Sequence, residues 1–224
     1  MSRPDIRAVL FDLDGTLLDT APDLVFALNE VRREQNLAPL AYELARTQVS
    51  HGSSGLIRLG FPQLSDQPLE TLRLRLLEIY SANLANGTRL FDGCQQVLDQ
   101  LSARQLRWGI VTNKPAFLTL PLLATLKLDD QAGCVVSGDT LPERKPHPAP
   151  LLHAAGLLHL PPAQCLYVGD AERDVQSARA AGMPVLVARY GYLGPDDDPV
   201  GWQPDGHIDS PLQILQWLDG TFAA

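Results

Sequence analysis

The sequence predicts an α/β protein, a doubly wound parallel sheet with a block of helices inserted into it, and three observations carry this expectation. Five short apolar runs have strand character: Ala8–Asp12, Trp108–Thr112, Cys134–Ser137, Cys165–Gly169 and Pro184–Ala188. From the second onward, a helix-length stretch separates each run from the next, which is the alternation that builds a parallel sheet covered on both faces. Between the first and second runs, from about Leu18 to Leu90, the pattern is helical and shows no convincing strand.

The elements follow in order. Ala8–Asp12 (AVLFD) ends abruptly in acidic and glycine residues, as a buried strand entering a tight turn does. A helix is predicted from Thr20, because Thr20-x-x-Asp23 has capping-box spacing and Pro22 suits a first turn; Leu24, Leu28 and Val31 then share a face. Leu69, Leu72, Leu76 and Tyr80 mark a second helical stripe. The predicted organisation is a core of residues 1–17 and 91–224, with residues 18–90 as a helical cap over it.

Composition limits the partners. Hydrophobic residues make up 45% and charged residues 20% of the 224, proportions that let a chain bury a core rather than stay disordered. A formal net charge of −8 speaks against nucleic acid, which needs a basic face, while leaving room for a local pocket that holds a small anion. Cys94, Cys134 and Cys165 are odd in number and form no C-x-x-C pair, so they read as buried free thiols of a reducing compartment. No stretch is long enough to cross a bilayer and no leader pattern precedes Ala8, so the expected location is the cytoplasm, with no membrane partner.

In open parallel sheets, ligands collect at the carboxyl ends of the strands. Four predicted strands end in, or lead to, polar residues suited to a phosphate and a metal: Asp12-Leu13-Asp14-Gly15-Thr16, Thr112-Asn113-Lys114, Lys145-Pro146, and Gly169-Asp170 with Asp174 beyond it. Each has a plain structural reading: Lys145 as a surface lysine, Asp170 and Asp174 as helix caps, Thr112 as a strand threonine. Their convergence on one edge points to chemistry. A phosphate monoester repels an approaching carboxylate unless cations neutralise both. Mg²⁺ on oxygens of Asp12 and Asp170, with the charge of Lys145 and the hydroxyl of Thr112, answers that need. Asp14, two residues past Asp12, is placed to handle protons while Asp12 attacks, and crowding among carboxylates is the expected means of keeping it protonated.

The string Asp12-Leu13-Asp14-Gly15-Thr16 resembles the first motif of the haloacid dehalogenase-like hydrolase superfamily. Thr112, Lys145 and Gly169-Asp170-Ala171-Glu172-Arg173-Asp174 match its second, third and fourth motifs in order. The resemblance spans about residues 7 to 218. It implies a Rossmann-like core with a helical cap after strand one, and an aspartyl-phosphate on Asp12. Asp14 would protonate the leaving oxygen and then activate water. Mg²⁺ would be held by Asp12, the backbone carbonyl of Asp14, and Asp170, with Asp174 acting through water or by orienting its neighbours. Thr112, the backbone near Asn113, and Lys145 would hold the phosphate.

Within the superfamily the chain is similar to phosphoglycolate phosphatases and to N-acetylmuramic acid 6-phosphate phosphatase. The residues behind this are Asp19–Asp23 (DTAPD), Trp108–Pro115 (WGIVTNKP) and Arg189-Tyr190-Gly191-Tyr192. The implied substrate is a small phosphorylated acid or sugar acid. The segment Val49–Gly55 (VSHGSSG) departs from the lid pattern of those relatives; His51 within it and Arg58 just beyond it are candidate substrate contacts that equally read as ordinary surface residues. Three other functions share the scaffold. Halide removal does not need Asp14. A phosphoglucomutase-type enzyme would keep every core residue named. A non-catalytic binding module would be expected to lack a carboxylate, and none is missing.

Overall fold

A computed structural model describes residues 5–222. Strand β1 (Ala8–Phe11) is followed by the two-residue β2 (Leu18–Asp19) and four helices: α1 (Ala21–Glu34), α2 (Tyr42–Arg46), α3 (Gly52–Gly60) and α4 (Asp66–Ala82). The chain returns through β3 (Arg89–Leu90) to α5 (Cys94–Ala103), β4 (Arg107–Val111), α6 (Ala116–Leu126) and β5 (Val135–Val136). It then runs through α7 (Ala149–Leu157), β6 (Cys165–Gly169), α8 (Glu172–Ala181), β7 (Val185–Ala188), β8 (Gly206–Ile208) and α9 (Gln213–Asp219).

Six strands form one parallel sheet in the order β5-β4-β1-β6-β7-β8. Every residue of β1 is buried, because a central parallel strand meets apolar layers on both faces. Val9 and Phe11 pack with α5, α6 and α9 through Val97, Leu101, Leu122 and Ile214. Ala8 and Leu10 face the opposite layer, where Leu151 of α7 and Val175 of α8 close the core. From β1 the chain moves outward to β4 and β5, then crosses back to β6 on the other side. The crevice beyond the carboxyl end of β1 therefore lies at the point where winding reverses, the place such sheets reserve for ligands.

The helices of residues 18–90 build a separate apolar cluster from Leu24, Leu28, Val31, Leu56, Ile57, Leu76 and Tyr80, joined by Leu118 and Tyr192 from outside the segment. The stripes predicted on α1 and α4 are its buried faces, with Leu72 only partly covered.

Three expectations need correction. The sheet has six strands rather than five; β8, Gly-His-Ile, is too short and too polar in its middle to show periodicity. The segment 18–90 is not free of strand, since β2 and β3 pair antiparallel at its two ends, Leu18 opposite Leu90. Two-residue strands leave no pattern to read. The capping box at Thr20 does not form either. The Thr20 hydroxyl donates instead to Asp14 Oδ1 at 2.6 Å. The Asp23 carboxylate accepts from Gly87 N at 2.7 Å, Thr88 N at 3.0 Å and Thr88 Oγ1 at 2.6 Å. Both side chains serve donors and acceptors brought from elsewhere by the fold, which outcompete the local cap.

Asp23 thus ties the start of α1 to the returning chain before β3. Asp23→Ala leaves these buried donors without an acceptor and is expected to lower unfolding free energy by about 2–3 kcal/mol, read from urea denaturation followed by circular dichroism.

Candidate active site

The carboxyl end of β1 delivers Asp12 into the crevice, its backbone N–H donating to Val168 O of β6 at 2.8 Å. The Asp12 side chain is held at one oxygen only. Oδ1 accepts from Leu13 N at 2.7 Å and lies 2.9 Å from Lys145 Nζ, while Oδ2 has no hydrogen-bond partner among the described residues. The tight turn after Asp12 needs Gly15, whose φ of +85° is costly for other residues and whose missing Cβ would overlap the Asp170 carboxylate.

Oxygens of Asp12, Asp170 and Asp174 lie within 4.8 Å of one another, all three residues buried. The fully buried Lys145 ammonium donates to Tyr167 Oη at 2.7 Å and Asp174 Oδ1 at 2.7 Å besides reaching Asp12, so its three protons are matched by three protein oxygens. Tyr167, from β6, passes its own proton to Val111 O at 3.0 Å. The other oxygen of Asp174 accepts from Ala171 N at 3.0 Å, fixing the first turn of α8. Asp170 Oδ2 accepts from Ser50 Oγ at 2.6 Å and Tyr192 N at 3.0 Å.

Burial and mutual repulsion set the charge states. Burial pushes the Asp170 carboxyl up to about 7, with Asp12 and Asp174 adding to the rise. Burial also raises Asp12, the Lys145 ammonium opposing it. Burial acts the same way on Asp174, but Lys145 and Arg173 outweigh it and hold that carboxyl below its usual range. Three carboxylates facing the Lys145 ammonium and the Arg173 guanidinium form an all-oxygen donor set still short of positive charge, which fits a hard divalent cation.

Asp14 stands apart from this cluster, and the crowding expected around it falls on Asp12, Asp170 and Asp174 instead. Its Oδ1 accepts from Thr20 Oγ1 and from Lys114 Nζ at 2.9 Å, and among the described residues Oδ2 has no partner. Lys114 is buried and stacks 4.5 Å above the Tyr80 ring of α4. Thr112, just past β4, accepts from Lys114 N at 3.1 Å, so its own hydroxyl proton is available to a ligand. The Asn113 amide braces the loop carrying Lys145, donating to Lys145 O at 2.9 Å and accepting from Lys145 N at 3.1 Å. This leaves backbone rather than side chain as what position 113 presents.

These residues open onto a cavity of about 1050 Å³ between the sheet and the inserted helices. Asp12, Asp14, Thr112, Asn113 and Lys114 line one side; Ser50, His51, Ser53 and Tyr80 line the other. Arg58 faces away, paired with Asp66 at the surface. The sequence points to no catalytic or binding role for Tyr167, Ser50 or Tyr80, and Lys114 enters there only as the last residue of the polar strand end Thr112-Asn113-Lys114. For Tyr167 the available signal was a polar ring in a buried strand. Lys114 had only its place beside Thr112, Tyr80 only its place in the apolar stripe of α4, and Ser50 carried none.

The family model for haloacid dehalogenase-like hydrolases matches residues 9–188. The chain belongs to that family. A phosphoglycolate phosphatase of Xanthomonas campestris is 44% identical over 210 residues, covering 94% of this chain and 95% of that protein. An N-acetylmuramic acid 6-phosphate phosphatase of Pseudomonas putida is 37% identical, covering 96% of this chain and 97% of that protein. Among solved structures, a predicted phosphoglycolate phosphatase from Haemophilus somnus superposes with a TM-score of 0.85 at 30% identity, covering 96% and 99% of the two chains. The α/β core and its membership of this hydrolase family are thereby shown. Among the described residues no helix is long and apolar enough to cross a membrane.

The raised Asp170 carboxyl has a consequence for stability in metal-free buffer. The folded protein holds a proton there up to about pH 7, whereas an unfolded aspartate releases it near 3.8. The stability that proton supplies is complete below the unfolded value and is lost as pH rises through the folded one. Asp170→Asn cannot ionise, so its melting temperature is expected to exceed that of wild type by a margin larger at pH 7.5 than at pH 5. Differential scanning calorimetry at the two pH values, with chelator present, checks this.

Proposed function

We propose that this hydrolase removes phosphate from a small soluble phosphate monoester in a Mg²⁺-dependent reaction through an aspartyl-phosphate on Asp12. The observation that carries the reading is the Asp12 carboxylate, clamped through Oδ1 while Oδ2 stands free at the floor of the cavity. That geometry presents one oxygen for in-line attack on phosphorus. The phosphatase activity of the relatives supports it, as does the acidic cluster.

In the first half-reaction Asp12 Oδ2 bonds to phosphorus as the ester P–O bond breaks, and the leaving oxygen takes a proton that Asp14 Oδ2, open to the cavity, has picked up from solvent before the ester binds. In the second, Asp14 takes a proton from water as that water's oxygen bonds to phosphorus and the Asp12–phosphorus link breaks. Thr112 donates its free hydroxyl proton to a phosphoryl oxygen, and the Lys145 charge orients Asp12 and favours its ionised form against burial. Asp12, Asp170 and the backbone carbonyl of Asp14 are the ligands proposed for Mg²⁺, which when bound neutralises charge between the carboxylates and the phosphate. Asp174, with both oxygens engaged by Lys145 and Ala171 N, orients Lys145 rather than binding the ion. The helices of residues 18–90 serve as the lid that selects the organic part of the substrate, and the reaction is placed in the cytoplasm, in keeping with three buried free cysteines.

Phosphoglycolate and N-acetylmuramic acid 6-phosphate are the favoured substrates. A kinetic panel of phosphorylated metabolites with Mg²⁺ is expected to give one of these two the highest kcat/KM. If both fall far below unrelated sugar phosphates, the substrate assignment is wrong, and an obligatory bisphosphate activator would instead identify a mutase. Asp12→Asn is expected to cut kcat by at least about 10⁴-fold while circular dichroism and melting temperature stay near wild type; substantial residual turnover contradicts the covalent route. Thr112→Ala removes one hydrogen bond to the phosphoryl group and should lower kcat/KM by about 10- to 100-fold, measured under the same conditions.

A further inference from the structure

Two buried polar side-chain atoms have no hydrogen-bond partner among the described residues, Tyr80 Oη and Arg173 Nε, and both residues line the same cavity. Buried polar groups are nearly always satisfied, so an orphaned pair in one cavity wall marks where a ligand supplies the partner. Arg173 is the more informative of the two. It sits in the first turn of α8, between Asp170 and Asp174, and is only partly exposed. Burial opposes its charge, yet Asp174, Asp12 and Asp170 more than offset that and keep the guanidinium protonated. It nevertheless makes no ion pair or hydrogen bond among the described residues.

Of the other cations of the site, all but Arg144 are engaged by carboxylates. Lys114 is paired with Asp14, and Arg73 is paired with Glu70. Arg144 is an exposed wall residue. Lys145 has spent all three protons on Tyr167, Asp12 and Asp174. A phosphoryl dianion approaching Asp12 therefore meets the Thr112 hydroxyl, while Lys145 has no proton to spare and the charge of Lys114 is already matched by Asp14. A guanidinium offers several coplanar donors, which match two phosphoryl oxygens at once.

We propose that Arg173 is a phosphate-binding residue, its guanidinium taking oxygens of the substrate's phosphoryl group at Asp12. This rests on the reading of the chain as a phosphatase. The phosphoryl group is favoured over a substrate carboxylate because the charges acting on Arg173 are those of Asp12, Asp170 and Asp174, which surround the point of attack rather than the lid.

The test compares wild type, Arg173→Met and Arg173→Lys, each checked for folding by circular dichroism, at saturating Mg²⁺. Inorganic phosphate binding is measured by calorimetry, and kcat/KM is measured for phosphoglycolate and for p-nitrophenyl phosphate, which lacks a carboxylate. Arg173→Met is expected to weaken phosphate binding on the order of 10- to 100-fold and to lower kcat/KM for both esters by a similar factor, with Arg173→Lys recovering part of it. Unchanged phosphate affinity overturns the proposal. So does a loss confined to phosphoglycolate, which makes Arg173 a carboxylate contact, and so does an effect that further Mg²⁺ abolishes. A wild-type protein that turns over neither these nor any other phosphate ester removes the phosphatase reading itself, an outcome separate from active wild type indifferent to Arg173.

Discussion

The ammonium of Lys145 touches Asp12 and Asp174 in a fully buried setting, and the position of the Asp12 carboxylate follows from those contacts. Taking charged groups out of water costs several kcal/mol each, and such a cluster persists only when geometry and hydrogen bonds repay it. Here each partner is held from behind. Tyr167 receives one Lys145 proton and hands its own to the carbonyl of Val111, so the lysine is steered by a strand on each side of β1. Asn113 clasps the Lys145 backbone in both directions. Asp174 accepts the N–H at the start of α8, which also sets the turn carrying Asp170 and Arg173. Orientation of Asp12 is thus a property of four chain segments meeting at one nitrogen.

The hydrophobic layers explain why those segments meet. Each central strand buries side chains on both faces and is fixed in register to its neighbours, Phe11 opposite Ile110 and Val168. The residues just past that register, Asp12, Thr112 and Gly169-Asp170, come out level at one edge. The polar site is a by-product of apolar packing beneath it, carried by parallel strands that all point the same way. A cluster so short of positive charge would destabilise a freely adjusting loop; the sheet holds it in place, with its remaining demand for cations directed into the cavity.

This division also explains what was legible in the sequence. Continuous apolar runs announce buried parallel strands, so the core, the strand-end carboxylates and the lysine could be named from spacing and motif. Contacts made across the fold left no such trace. Thr20 and Asp23 have the spacing of a cap and serve distant partners instead. The two-residue strands Leu18–Asp19 and Arg89–Leu90 are shorter than any readable period. Lys114 sits in a familiar string, yet its pairing with Asp14 depends on bringing together residues a hundred positions apart. Arg173 reads as one charged residue among several at a helix start; only the absence of a partner in three dimensions separates it from them.

The inserted helices do more than roof the cavity, because their side chains join the same electrostatic network. Ser50 donates to Asp170, a carboxyl that burial and its acidic neighbours push up to about 7. Tyr80 lies beneath the ammonium that contacts Asp14. Arg46 reaches from α2 to the carbonyls of Tyr190 and Gly191 and stacks on the Tyr192 ring, whose backbone N–H is the second donor to Asp170. The Ser50 hydroxyl and the Tyr192 N–H thus converge on one oxygen, Asp170 Oδ2. Separating the helices from the sheet would strip Asp170 of the Ser50 hydroxyl and Asp14's partner Lys114 of its aromatic support, raising the energy of the charges left behind. The inserted helices and the carboxylates beneath them are therefore coupled through shared contacts, so a substitution that moves Ser50 or Tyr80 also changes the setting of Asp170 or of the Lys114–Asp14 pair.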